Sequence, residues 1–412
     1  MIIKNCTAFV DDEFQKMDLR IENGTIAEIG VNLVGDDEVH DCNGMIVSPA
    51  FVDLHTHLRI GQEYKEDPQI TVEKAIRGGY CAINVMPNTV PPVNTATMVE
   101  YIKELKKPEG FSIMVTGAIT CDGLLAEIEN MAEAGAIAIS DDGNWTENSF
   151  IFYQALKYAK RHDLLVIDHA QDTVLFKSGR IYEGQVSFQT GLKGFPKAAE
   201  AHAVYRDGTL NLTVGAKLHI THLSTVMGLD TISFLKHLGS HITADVTPHH
   251  LLFDDTAYLE YETKLKANPP FGDDRDRKAL IHALRSAEIA AIATDHAPHS
   301  EPEKDQEWED APYGIASIDT AFEALYEGLV KTNLVPLEIL LSALSTRPAQ
   351  ILGMKHGIAV GNNANLVFIK ENEPHVISSC MGAKNNPYVG KDSSAKIIGL
   401  MLDGAMVYKH AQ

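Results

Sequence analysis

Eight short apolar runs, separated by stretches of helical periodicity, are what most limits the folds open to this chain. They read VSPAFVDLH, YCAINVM, FSIMVTG, AIAIS, LLVID, KLHIT, HITADVT and IAAIATD, and they lie between residues 47 and 295. Runs this apolar suit strands covered on both faces. Segments between them, such as NSFIFYQALKYAKRHD, repeat apolar residues at helical i, i+3/i+4 spacing. Alternating β and α units imply a parallel sheet, and eight of them imply a (β/α)₈ TIM barrel. A doubly wound open sheet is the alternative that pattern alone leaves open.

The two ends of the chain read differently. MDLRIENGTIAEIG alternates apolar and polar residues around Asn23-Gly24, and IIGLMLDGAMVYKH does the same around Asp403-Gly404. Both dipeptides are strong two-residue hairpin signals. The expected layout is a small composite β-sandwich built from residues 1–50 and 357–412, enclosing a barrel over 51–356. The polar stretch from His299 to Pro312 follows the last strand and reads as a long loop.

Charge and cysteine usage narrow the function. With 35 basic against 56 acidic residues the net charge is −21, which argues against a nucleic-acid surface but permits a local anion pocket. The five cysteines are scattered without a C-x-x-C pair, as in a reducing compartment. Neither a signal-peptide apolar segment nor a membrane span is read, so a cytoplasmic protein is expected.

Catalytic groups of such barrels stand at the C-terminal ends of the strands. Here those ends carry His55 and His57, Asn88, Asp141-Asp142, His169, His222, His249-His250 and Asp295. Side chains at i and i+2 of a strand point the same way, so His55 and His57 can grip one metal ion. Imidazole with carboxylate suits zinc or a similar divalent ion. His169 and His222 can hold a second ion, with a carboxylate bridging the two, and such a pair lowers the pKa of a shared water towards about 7. Asp295 is both a ligand candidate and a proton shuttle. Arg59, two residues beyond His57, can form a charge-assisted fork with a substrate carboxylate.

DLHTH, MPNT, SDDG, DHAQD, HITHLST, TPHHLLF, KANPPF and ATDHAPHSEPEK, in this order from about residue 45 to 315, closely resemble dihydroorotases of the bacterial type I branch of the amidohydrolase superfamily. The resemblance implies one metal at His55, His57 and Asp295, and a second at His169 and His222. Many relatives bridge the two with a carboxylated lysine; the type I branch uses an aspartate, and spacing to the next histidine favours Asp142 over Asp141. A similar choice between His219 and His222 favours His222, nearer the strand end. The implied reaction is the reversible, zinc-dependent cyclisation of N-carbamoyl-L-aspartate to L-dihydroorotate, third step of pyrimidine synthesis, with one or two Zn2+ per chain. Arg59, Asn88 and His299 match the family's carboxylate partners, and Asn268, Tyr313 and Gly314 its pyrimidine-ring contacts. The resemblance also implies a homodimer, with association to aspartate transcarbamoylase open.

Two departures stand out. The family usually reads H-x-H-F-R-x-P-G, whereas this chain has HTHLRIGQ, which puts the reach of Arg59 in question. The bridging aspartate is shorter than a carboxylated lysine, so the second ion is the more weakly held. The competing readings are a hydantoinase or allantoinase acting on another cyclic ureide, and a non-catalytic scaffold for aspartate transcarbamoylase. His249 and His250 are read as packing residues or supports for the ligands.

Overall fold

The computed structural model describes residues 1–35, 38–177, 179–380 and 382–410. Eight parallel strands follow one another in neighbouring order: β1 Phe51–Thr56, β2 Tyr80–Val85, β3 Ser112–Ala118, β4 Ala138–Ser140, β5 Leu165–Asp168, β6 Lys217–Ile220, β7 Ile242–Val246 and β8 Ala291–Ile292. All eight coincide with the apolar runs. Every residue of β1 and β2 is buried, as strands covered on both faces must be.

The ring closes between its first and last strands. Thr56 bridges His296 in parallel, and the His57 amide donates to the His296 carbonyl at 3.0 Å. Asp53, a carboxylate inside β1, accepts from the Thr294 amide at 2.8 Å and the Thr294 hydroxyl at 2.7 Å. A barrel thus forms in place of the open-sheet alternative.

Helices on the outside are amphipathic and capped. Ser149–Arg161 starts on Asn148, whose side chain accepts from the Phe150 and Ile151 amides, and ends with Lys160 and Arg161. That arrangement satisfies the first turn and complements the helix dipole. Its inner face of Phe152, Ala155, Leu156 and Ala159 packs into the main core.

Strands from both termini form a separate eight-stranded sheet. The hairpins stand where the sequence places them: Glu22 pairs with Thr25 around Asn23 and Gly24, and Leu402 with Ala405 around Asp403 and Gly404. All four turn residues have positive φ, as a type I′ turn requires. This sheet has its own core, including Ile3, Leu19, Ile26 and Phe368. The strand Ile46–Pro49 runs directly into β1, so the sheet holds the entry to the barrel. No helix among the described residues is long and apolar enough to cross a membrane.

Candidate metal centre

His55 and His57 leave β1 with their rings 5.0 Å apart. Asp142 follows β4, His169 follows β5, His222 lies just beyond β6, and Asp295 lies beyond β8. The barrel brings these side chains together, none of them more than 7% exposed. The Asp142 carboxylate divides between two pairs of histidines. Its Oδ2 stands 3.2 Å from His55 Nε2 and 3.6 Å from His57 Nε2, while its Oδ1 stands 3.5 Å from both His169 Nδ1 and His222 Nε2. Asp295 Oδ1 completes the first group at 3.1 Å from His57 Nε2 and 3.5 Å from His55 Nε2.

These spacings suit a shared ion better than hydrogen bonds. Ligands at 2.0–2.2 Å from a tetrahedral ion stand about 3.4 Å from one another. His55 Nε2 and Asp142 Oδ1 are buried with no hydrogen-bond partner among the described residues, although buried polar atoms are normally satisfied. The donor set of imidazoles and carboxylates therefore fits a divalent metal. His169 Nδ1 and His222 Nε2 are only 2.9 Å apart, a hydrogen bond between a protonated and an unprotonated nitrogen. The His169–His222 half thus needs the larger adjustment to take an ion.

The electrostatics of the cluster favour a cation. Burial acts to neutralise Asp142, but the His55, His169 and His222 rings around it hold its carboxyl well below the usual range. Asp295 is likewise held low, by His55, His57 and His222 acting against burial. Burial opposes charging His55, yet Asp142 and Asp295 raise it to about 10. Burial lowers His57 and His222. Without metal the cluster is two carboxylates facing a proton on His55, and an ion would displace that proton.

The far nitrogens of three of the four rings are held in turn, while the buried Nδ1 of His222 has no partner among the described residues. His55 Nδ1 bonds Thr221 Oγ1 at 2.8 Å, and Thr221 donates to Asp245. His57 Nδ1 bonds Asn88 Oδ1 at 2.8 Å. His169 Nε2 lies 3.1 Å from Asn268 Nδ2. With Nδ1 of His169 turned to Asp142, Nε2 carries the proton and needs an acceptor; a half-turn of the Asn268 amide presents Oδ1, which otherwise has no partner among the described residues. The two open choices take definite positions. Asp141 is tied by the Thr120 amide and the Thr120 and Thr146 hydroxyls, and only Asp142 faces the histidines. His219 is engaged by Thr243 and Asp245, and His222 joins the cluster.

Two residues beyond His57, Arg59 adopts φ +54° and is 9% exposed. Its Nε donates to the Pro298 carbonyl at 3.1 Å, and its Nη2 stands 3.3 Å from His299 Nε2. The Arg59 side chain is thus turned towards the strand 8 loop. Burial, and then Arg59, push His299 down to about 3, so it is neutral. A cavity of about 460 Å³ reaches Asn88 and Asp142 from outside, passing Pro87 and Trp145. Gly314 lies against His299, whose Cδ2 a Cβ there would meet at 3.0 Å; the Tyr313 hydroxyl donates to the Arg180 carbonyl and the Gly314 amide to the Lys266 carbonyl. Their hydrogen bonds thus run to neighbouring loops and not to the histidine cluster.

A dihydroorotase of Carboxydothermus hydrogenoformans is 40% identical to this chain over 424 residues, covering 99% of this chain and 98% of that protein. The chain belongs to the dihydroorotase family. A dihydroorotase of Caldanaerobacter subterraneus subsp. tengcongensis is 37% identical over 99% of this chain and 97% of its own length. The family described as Dihydro-orotase-like matches residues 44–227. In fold the chain is similar to the L-hydantoinase (dihydropyrimidinase) of Arthrobacter aurescens, with TM-score 0.88 at 19% identity over 100% of this chain and 96% of the other.

Several residues of this dihydroorotase-family site escape sequence reasoning. Thr221 and Asp245 support His55, and Asp53 locks strand 1 to strand 8. A signal was present: Asp53 and Asp245 are carboxylates inside apolar strands, which is costly unless a partner is supplied. The stretch from His299 to Pro312 contains the short helix Glu301–Lys304 and is pinned by two buried lysines. Lys266 Nζ donates to the carbonyls of Trp308, Glu309 and Ala311, and Lys304 Nζ to those of Thr263 and Pro312. His250 is fully bonded, to Thr247 and the Pro269 carbonyl, whereas neither ring nitrogen of buried His249 has a partner among the described residues.

Proposed function

We propose that the protein is a zinc-dependent dihydroorotase, interconverting L-dihydroorotate and N-carbamoyl-L-aspartate in pyrimidine synthesis. The observation that carries this reading is the buried Arg59 guanidinium beside His299, on the same face of the barrel as Asp295. L-Dihydroorotate bears a carboxylate for Arg59 to hold; a hydantoin or a dihydropyrimidine has none at that place.

His55, His57 and Asp295 would hold one zinc ion, His169 and His222 the other, with Asp142 between them. When bound, zinc supplies Lewis acidity, making water a nucleophile near neutral pH and polarising the amide carbonyl. The protein groups do the rest. Arg59, with Asn88 and His299, orients the substrate carboxylate, while Asn268, Tyr313 and Gly314 border the ring. As water oxygen adds to the ring carbonyl carbon, Asp295, ionised at neutral pH, accepts the proton. It returns that proton to the ring nitrogen as the C–N bond breaks, and ring closure runs the same steps backwards.

The division into a sheet domain of 1–50 and 357–412 and a barrel of 51–356 belongs to this reading, with the metal centre on the barrel side. So do a cytoplasmic location, a homodimer and a capacity to join aspartate transcarbamoylase, all supported by the family resemblance. The test is zinc content per chain with ring-opening of L-dihydroorotate and of 5,6-dihydrouracil on one sample. Turnover of dihydroorotate alone is expected, and Asp295→Ala should abolish it. Preference for dihydrouracil, or activity retained in Asp295→Ala, would refute the reading.

A further inference from the structure

The end of the barrel opposite the metal centre contains a second cavity, of about 690 Å³, which the chemistry above does not use. Its walls are the N-terminal ends of β5, β6 and β7, the turn after the helix Val226–His237, and the helix Thr346–Ile351. Every charged side chain lining it is basic, in a chain of net charge −21. Lys217 is already paired with Asp163 at 2.7 Å, and Lys236 Nζ gives one hydrogen to the Glu288 carbonyl at 2.8 Å.

Arg347 differs from both. Its guanidinium has no hydrogen bond or ion pair among the described residues, and its Nη1 is buried. The field of Asp12 reaches it, but that carboxylate is engaged by the Ser342 hydroxyl. Ser240 Oγ, on a residue 9% exposed, also lacks a partner among the described residues. Two unsatisfied buried polar atoms, from segments about a hundred residues apart, therefore border one cavity. A buried donor left unpaired costs ~1–3 kcal/mol, more when charged, so each is a standing demand for an acceptor.

We propose that this cavity binds a small organic phosphate. The phosphate would sit on Arg347, Ser240 and the free hydrogens of Lys236, since a fork, a hydroxyl and an ammonium from three segments suit an oxyanion with several acceptor atoms. Leu218, Ile242 and Ile351 offer the organic part an apolar wall. The volume is that of a small-molecule site and far exceeds what an inorganic ion would fill. Lying at the other end of the strands from Asp142, the site would be occupied independently of substrate.

The experiment is calorimetric titration of the zinc-loaded full-length protein with adenosine 5′-monophosphate, inorganic phosphate and adenosine, repeated with saturating L-dihydroorotate. The nucleotide should bind more tightly than phosphate, adenosine should not bind, and L-dihydroorotate should change neither result. Arg347→Met should weaken nucleotide binding at least about tenfold, as loss of a charged hydrogen bond does, with ring-opening kinetics at the wild-type level. Lys236→Met, with a smaller loss, gives a second reading should the first variant fold poorly. No binding of the nucleotide up to about 5 mM, roughly the weakest affinity of interest, would overturn the proposal. So would binding that both variants leave unchanged, binding that L-dihydroorotate displaces, or phosphate binding as tightly as the nucleotide.

Discussion

Replacing Thr221 by valine removes one hydroxyl and little else, and the effect should be read at a metal the residue never touches. Thr221 Oγ1 stands 2.8 Å from His55 Nδ1 and donates to Asp245 Oδ2 at 3.2 Å. It fixes the rotation of the His55 ring and holds a proton on Nδ1, so that Nε2, facing Asp142 and Asp295, is the nitrogen an ion would take in place of a proton. Valine has the same shape, so no cavity opens, but the Nδ1–H of a fully buried ring loses its acceptor. That costs ~1–3 kcal/mol, or roughly 5–150-fold in an equilibrium constant, and overlaps the ~10–100-fold loss usual when a ligand's outer partner is removed. The cost can fall on zinc binding or on folding. Zinc dissociation constants from chelator competition should therefore be measured with the melting temperature of the metal-free protein. Weaker zinc binding and a lower metal-free melting temperature are both expected, because buried His55, raised to about 10 by Asp142 and Asp295, needs the same acceptor for its Nδ1–H with or without the ion. Zinc affinity within twofold of wild type, together with unaltered stability, would refute the orienting role.

Arg59→Met should raise the KM for L-dihydroorotate by ~10–100-fold, the worth of a charged hydrogen bond of ~1.5–3 kcal/mol, with a smaller change in kcat; an unchanged KM would show that Arg59 does not meet the carboxylate. Asp142→Ala should lose zinc and activity together, whereas Asp141→Ala should keep zinc and lose ~1–3 kcal/mol of stability through the bonds from Thr120 and Thr146; elemental analysis and urea unfolding distinguish the two. Acid should act partly through Glu66. Burial works to neutralise this carboxyl, but His296 at 2.8 Å and Lys74 at 2.5 Å lower it from 4.5 to about 2. Its stabilisation is thus complete above pH 4.5 and lost as pH falls through about 2, a change of ~3 kcal/mol at 1.36 kcal/mol per unit. Urea unfolding of wild type should lose that much more than Glu66→Gln across this window, and parallel curves would remove Glu66 from the account.

What the sequence by itself determines here is everything that a local period or a turn rule encodes. Eight buried runs with helical segments between them specify a parallel sheet covered on both faces, because a strand apolar on both faces can only be an inner layer. That the sheet closes into a barrel is decided by the contacts of Thr56 and His57 with His296. Asn23-Gly24 and Asp403-Gly404 specify their hairpins through the positive φ that the turn demands. The strand-end positions of His55, His57, His169 and Asp295 follow from the same register.

Tertiary structure decides the rest, because past the last residue of a strand no period says where a side chain points. Asp141 and Asp142 are adjacent, and only the bend after β4 turns one to Thr120 and the other to the histidines. Arg59, His222 and Asp295 all take positive φ, a conformation no propensity would assign them, held by the loops packed around the barrel mouth. The pairing of His55 with Thr221, and of His169 with Asn268, spans 166 and 99 residues. Closing the barrel is what brings those distant strand ends within bonding distance. A chain read one window at a time can name candidate ligands, and even Asn88 and Asn268, but not which ring each of those asparagines holds.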